Sequence, residues 1–346
     1  LTETIITGGA ALEALAPSEN SYADQFEKML DDYHGKPEIY DDKLSADFYR
    51  ILSEMMAADT RPRFGGLPYF SPSSANACPR SLYLKLKRAK KDSRKVQPHQ
   101  SRWQKHGTAI GESLQKDLFF IEKHFADAPF KFKRTRNGYP AFEEAAQACV
   151  TVEASDSNGE IRKFKLFGKP DGILDHTSGA TVGLEIKSKQ TTAAQTGHYK
   201  MREPKEDHRL QCVTYSAMYG INDFIITYVN ASKKGWFLDE ETYAKNPDVR
   251  AFDVKVTDSD RQALLEKFAD LLRRVDENDP PKLDLSKFTF NNFKEACALD
   301  LSAEEVSELE SEVLAVEGSS KPKFIKDNYR QAFEEILSLR SESNGG

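Results

Sequence analysis

The side chains best equipped for chemistry lie in one short stretch of the chain. Gly168-Lys169-Pro170-Asp171-Gly172 puts an acid on a turn, and Gly183-Leu184-Glu185-Ile186-Lys187 puts an acid and a lysine two residues apart on an apolar strand. Side chains alternate along a strand, so Glu185 and Lys187 share one face while Leu184 and Ile186 take the other. Two carboxylates beside an ammonium suit the holding of a hard divalent cation against a phosphodiester. If the sheet is covered on both sides, these charges face an interior or a cleft, where charge is costly unless paired or metal-bound. A purely structural Glu–Lys pair meets the same requirement, and Asp in a Pro-Asp-Gly turn commonly bonds only nearby backbone.

The elements that must position these groups follow from periodicity and turn residues. Val150–Val152 and Ile161–Phe167 read as strands around Ser155-Asp156-Ser157-Asn158-Gly159, and Gly172–Leu174 and Thr181–Lys187 as the strands of the acid–lysine set. A helix is predicted from Pro204 to Tyr219, then a buried strand over Phe224–Val229, strands at Trp236–Leu238 and Phe252–Val256, and a helix over Asp258–Val275. Upstream, an acidic amphipathic stretch covers Tyr22–Tyr33. A short helix is expected over Ala75–Leu86 and a longer one over Trp103–Phe125. Asn278-Asp279-Pro280-Pro281 marks a boundary. The expected organisation is an N-terminal helical or irregular extension (1–70), a core (71–278) and an acidic helical C-terminal region (279–346) ending in a disordered Ser-Glu-Ser-Asn-Gly-Gly tail.

Composition bounds the rest. The 346 residues suffice for one large domain with appendages or for two domains. No apolar run approaches the roughly 20 residues needed to span a bilayer, and no secretory signal is visible, so a cytoplasmic protein without membrane contact is expected. Cys78, Cys149, Cys212 and Cys297 are widely spaced, which fits reduced thiols. No GxxxxGK[ST] loop occurs, so any motor would be a separate partner. The net charge of -6 hides a basic run: Arg80, Lys85, Lys87, Arg88, Lys90, Lys91, Arg94, Lys95, Arg102 and Lys105 stand against the single acid Asp92. Such a run can track a phosphate backbone; it can equally be a solvated face.

Two further groups complete the pattern. Gln211 and Tyr215 fall one turn apart on a shared helix face, and Gly111-Glu112 lies early in the long helix. Their bland readings are a core tyrosine with a glutamine at its edge, and a solvent-exposed glutamate. The order Glu112, Asp171, Glu185-Ile186-Lys187, Gln211-x-x-x-Tyr215 resembles the PD-(D/E)XK nucleases. It is most similar to the RecB-like branch, which includes phage exonucleases and CRISPR-associated relatives. Ser71-Pro72-Ser73-Ser74 followed by Cys78-Pro79-Arg80-Ser81-Leu82-Tyr83 is similar to the segment that opens many such domains. The resemblance covers roughly residues 71–240.

The resemblance implies an α/β fold with a restriction-endonuclease-like core, a central mixed sheet flanked by helices, and helical extensions at both ends. Asp171 and Glu185, with the backbone carbonyl of Ile186, would bind Mg2+ or Mn2+, and Glu112 would complete the site directly or through water. Lys187 would orient or help deprotonate the attacking water and stabilise charge on the phosphate. Gln211 and Tyr215 would brace Lys187 and the substrate phosphate. Lys189 on the same face, with Arg80, Lys87, Arg88, Lys90 and Lys91, would contact DNA, and His208 either touches substrate or is a surface histidine beside Asp207. The implied activity is metal-dependent hydrolysis of DNA, more exonuclease than sequence-specific enzyme, on double-stranded ends or single strands. Its implied setting is phage or mobile-element recombination or replication, beside a recombination, single-strand-binding or replication protein. A structure-specific endonuclease and a noncatalytic DNA-binding protein with a nuclease fold are the alternatives. The chain departs from the pattern twice. Several RecB-like nucleases carry a histidine where Gly111 or Glu112 stands, and only Cys297 follows Cys78 beyond the core, so no iron–sulfur cluster is expected.

Overall fold

The structure is a computed structural model in which residues 21–58, 62–93, 97–232 and 235–344 are described. The strands are β1 (Tyr69–Phe70), β2 (Phe130–Phe132), β3 (Ala148–Ser155), β4 (Ile161–Gly168), β5 (Gly172–His176), β6 (Thr181–Lys189), β7 (Asp223–Asn230) and β8 (Val249–Lys255). The helices are α1 (Tyr22–His34), α2 (Asp42–Ala57), α3 (Pro79–Leu86), α4 (Pro98–His124), α5 (Glu143–Ala146) and α6 (Glu206–Tyr219). They continue as α7 (Glu240–Lys245), α8 (Asp258–Glu277), α9 (Lys294–Asp300), α10 (Ala303–Gly318) and α11 (Lys323–Asn344).

A five-stranded mixed sheet, in the order β2-β5-β6-β7-β8, forms the centre. β5 and β6 pair antiparallel through the turn at Thr177–Gly179, and β6 and β7 pair parallel because α6 carries the chain back between them. The alternation of β6 is resolved as expected. Val182 and Leu184 enter an apolar core shared with α1, α2 and α4, and that core also holds Leu174 and Ile225. On the other face, Ile173, Phe224, Ile226 and Tyr228 pack with α6, α8 and the C-terminal helices. The sheet is thus covered on both sides, and Glu185, opposite Ile226 in the register, is buried toward α6. Gly183 is required where it stands, because a Cβ there would lie 2.3 Å from the ring of Phe224.

Both terminal regions belong to these cores. In α1, Ser21 caps the helix by accepting from the Asp24 N–H, and Phe26, Met29 and Leu30 fall on the face laid against the sheet. From the C-terminal region, Phe288, Cys297, Leu309 and Ile336 enter the α6-side core. Residues 1–20 lie outside the described residues.

Several expected boundaries change. The strand expected over Val150–Val152 extends to Ala148–Ser155, and β3 and β4 form a hairpin in a separate three-stranded sheet, β1-β4-β3. Trp236–Leu238 is an exposed loop, not a strand, with Trp236 and Phe237 each 92% exposed: apolar residues without a pairing edge do not make a strand. The helix expected from Ala75 begins at Pro79, after a 3-10 turn over Pro72–Asn76. Ser341–Asn344, expected within a disordered tail, is the last turn of α11.

Candidate active site

The turn before β5 is held from several sides. Gly168 ends β4 under Pro72, where a Cβ would meet the proline ring at 2.7 Å, so glycine admits the Ser71–Ser74 turn to the end of the strand. The Tyr215 hydroxyl donates to the Lys169 carbonyl (2.8 Å), and Gln115 Nε2 donates to the Asp171 carbonyl (2.9 Å). Beyond the last β5–β6 pair, Gly172↔Leu184, the Ile186 N–H donates to Asp171 Oδ2 at 2.6 Å. One carboxylate oxygen of Asp171 is therefore committed to the β6 backbone.

Glu185 and Lys187 project together toward α6, as strand alternation requires. Their side chains form an ion pair through Glu185 Oε1, and Lys187 Nζ also donates to Gln211 Oε1 at 2.8 Å. Glu185 is 5% exposed, and its other oxygen, Oε2, is buried without a hydrogen-bond partner. Burial, then the Glu185 charge, pushes the Asp171 carboxyl well above its ordinary value. Burial also raises Glu185, against the lowering effect of Lys187, while Glu143 raises it further. For Lys187 burial is the largest influence and favours the neutral amine, but Glu185 and Asp171 outweigh it and the pKa is raised. The site thus holds two carboxylates short of positive charge beside a lysine kept as ammonium.

This donor set fits a hard divalent cation. A buried carboxylate oxygen with no donor, next to a second carboxylate whose charge it opposes, leaves a place for positive charge that oxygen ligands fill well. The described residues contain no group of three or more His, Cys, Asp or Glu side chains arranged to cage a metal, so a cation held here would have to take its remaining ligands from backbone or solvent.

The structure brings together Asp171, Glu185, Lys187 and Gln211, with Ile186 between the acids. It assigns Tyr215 elsewhere: its hydroxyl braces the Asp171 turn and makes no bond to Lys187. Glu112 is exposed on α4 and makes no hydrogen bond or ion pair with another described residue; Gln115, one turn later, is the α4 side chain that reaches the site. Lys189 stacks over the Tyr228 ring at 4.9 Å, and burial together with the Lys205 charge lowers it to about 8. His208 is not the surface histidine of one reading. Its side chain is 14% exposed, it bonds the Tyr228 hydroxyl at 2.8 Å, and burial followed by the Lys187 charge lowers it to about 4.

The basic run divides. Arg80 is fully buried and cannot contact DNA. Its guanidinium meets Asp300 Oδ2 at 2.6 Å, Glu305 Oε1 at 2.7 Å and the carbonyls of Pro281 and Asp300, so it clamps α3 to the C-terminal helices. Lys87 is exposed yet tied to Asn278 Oδ1 (2.5 Å), whereas Arg88, Lys90 and Lys91 are exposed on the loop after α3. Arg88 makes that loop's turn with φ 61°, a left-handed position that glycine usually fills at a helix end. Arg94 and Lys95 lie outside the described residues.

Two groups at the site were not anticipated. Glu143 sits in a left-handed backbone conformation (φ 44°), its N–H donates to the Pro170 carbonyl, and its charge reaches both Asp171 and Glu185. Its carboxylate lies 3.0 Å from Lys169 Nζ and 3.4 Å from Gln115 Nε2. A non-glycine residue held at positive φ beside paired acids is strained backbone at the candidate site. Gln115 is the second, and no local motif distinguishes either from its neighbours.

No family profile and no curated protein matches the chain. Solved structures of similar architecture include SSO0001, 11% identical with a TM-score of 0.38 over 74% of this chain and 96% of that one. Another is the alkaline exonuclease LHK-Exo from Laribacter hongkongensis, 13% identical with a TM-score of 0.35 over 66% and 94%. Its complex with dAMP aligns with a TM-score of 0.32 at 13% identity, over 62% and 90%. These are coarse likenesses of architecture, and the functional reading rests on the site itself.

Proposed function

We propose that the chain is a metal-dependent deoxyribonuclease of PD-(D/E)XK type, acting on DNA ends. The observation that carries this reading is Glu185: buried, paired through one oxygen to Lys187 and unpartnered at the other, beside Asp171. Asp171 and Glu185 would hold Mg2+ or Mn2+ with the Ile186 carbonyl. Bound there, the cation would acidify a water and neutralise charge on the scissile phosphate.

The chain's own groups do the rest. Lys187, fixed by Gln211 and kept as ammonium, donates to a phosphate oxygen as negative charge grows on it during attack by water. Its raised pKa favours this role over that of a general base. Water adds to phosphorus and gives up a proton to solvent, the P–O bond to the leaving sugar oxygen breaks, and that oxygen takes a proton from solvent. Tyr215 and Gln115 act through the Asp171 turn, as positioning residues. The described helices include none long and apolar enough to cross a membrane.

The test is cleavage of labelled linear and circular DNA with Mg2+, Mn2+ or EDTA. Wild type should degrade linear DNA only with metal, and Lys187→Ala should lose cleavage while retaining DNA binding, because its contact is made in the transition state. Absence of metal-dependent cleavage by the wild type on every substrate would end the enzyme reading. Nicked circles would move it from exonuclease to endonuclease.

A further inference from the structure

We propose that a groove running from Gln211 to Phe290 carries an unpaired polynucleotide strand to the β6 site, with the segment before α9 as its outer wall. The inference rests on the nuclease reading and adds the state of the substrate and its path.

The groove has a volume of 790 Å3 and includes Gln211, the residue that holds Lys187, so one end lies one hydrogen bond from that lysine. Lys85, Lys91 and Lys287 line it against a single lining acid, Asp207, and serine and asparagine side chains occupy much of the remainder. Phosphates are bound by this mixture of cations, hydroxyls and amides. Lys85 lies over the Tyr69 ring and Lys287 donates to Asn76, but Lys91 is exposed and has no partner among the described residues. At the rim stands Phe290, 85% exposed, where a base can stack on its face. A single exposed phenylalanine is ordinary; one set among lysines in a groove that reaches Gln211, the partner of Lys187, has a use.

The two walls are fixed to each other. The Asp92 N–H donates to the Asn292 carbonyl at 2.9 Å, and the Asp92 carboxylate accepts from the Lys294 N–H at 2.7 Å. The loop bearing Lys91 and the segment bearing Phe290 are therefore one frame. The volume falls in the range of about 300–1,000 Å3 typical of small-ligand sites, room for a few nucleotides of one strand.

The experiment is fluorescence anisotropy of the full chain with a labelled short oligothymidylate and with a hairpin duplex, both in EDTA, so that binding is read without cleavage. Phe290→Ala should weaken oligothymidylate binding by about 5- to 150-fold, the range of one base–aromatic stack. Lys91→Ala should reduce the log–log salt slope by about 0.7. Tyr40→Ala, an equally exposed aromatic between α1 and α2, should change neither. Wild-type affinity in Phe290→Ala, or an unchanged salt slope in Lys91→Ala, overturns the strand path. Equal losses on the duplex overturn the single-strand assignment. If oligothymidylate binding depends on Phe290 as expected while the wild type cleaves nothing with Mg2+ or Mn2+, the groove stands and the nuclease reading falls.

Discussion

Replacing Glu185 with glutamine keeps the shape of the side chain and removes its charge. In the wild type without metal, Glu185 Oε2 is buried and unpartnered, a defect worth about 1–3 kcal/mol in comparable cases. The charge also opposes that of Asp171, whose carboxyl is raised by burial first and by Glu185 second; burial likewise raises Glu185 against the lowering effect of Lys187, with Glu143 adding to the rise. The sign follows from linkage. Carboxyls with raised folded-state values bind more protons folded than unfolded, so stability falls as pH rises from the ordinary carboxylate range through the raised values. Glu185→Gln should flatten that fall and keep, or slightly raise, metal-free stability at neutral pH, since the relieved repulsion offsets the lost Lys187 pair. Its response to metal should disappear. At Mn2+ a hundredfold above Kd the wild type gains about 2.7 kcal/mol, or roughly 5 °C in Tm at about 2 °C per kcal/mol for a chain of this size. A variant binding a hundredfold more weakly gains only about 0.4 kcal/mol, which is roughly 1 °C. The assay is thermal unfolding with and without Mn2+ across pH, with no substrate present. A Glu185→Gln Mn2+ shift equal to wild type would refute the placement of the cation at β6.

Arg80→Ala should destabilise the protein by about 3–5 kcal/mol in urea unfolding, because it strips a buried guanidinium from Asp300 and Glu305. Those acids are about one-third exposed, which favours the lower figure, and the salt slope of DNA binding should not move; a reduced slope with unchanged stability would return Arg80 to the DNA. Lys189, lowered to about 8, is charged below that pH and neutral above it, so DNA affinity should fall as pH rises from 7 to about 9 in the wild type and stay level in Lys189→Arg. The same depressed value makes the unfolded chain bind more protons between about 8 and the ordinary lysine range, so this group's contribution to stability rises with pH there. Tyr215→Phe should cost about 1 kcal/mol through its lost bond to Lys169 and lower cleavage without altering its pH profile; a changed profile would place the hydroxyl at the reacting atoms.

What could be read from the sequence was what short-range periodicity dictates. Strand alternation put Glu185 and Lys187 on one face, and the helical repeat put Gln211 and Tyr215 on one face of their helix; that Gln211 would brace Lys187 was what the resemblance implied. Their coming together needed only that α6 return across β6. Tyr215 shares the face of Gln211, yet one turn along the helix faces the Lys169 carbonyl instead of the lysine. Glu143 escaped because its place depends on a left-handed residue in a loop that no side-chain pattern reports. Arg80 was misread for a different reason. A charge run implies exposure unless partners are known, and those of Arg80 lie 220 and 225 residues away.

The clamp at Arg80 also changes what the acidic C-terminal region does. Asp300 and Glu305 neutralise an arginine within the fold, and this fixes α9 and α10 against α3, the helix that leads into the basic loop. The Asp92 bonds fix the far end of that loop to the start of α9. Net acidity is therefore compatible with the local phosphate-binding surface proposed above. Part of the negative charge is spent internally to hold the positive loop in place, and that loop's cations, Arg88, Lys90 and Lys91, remain exposed.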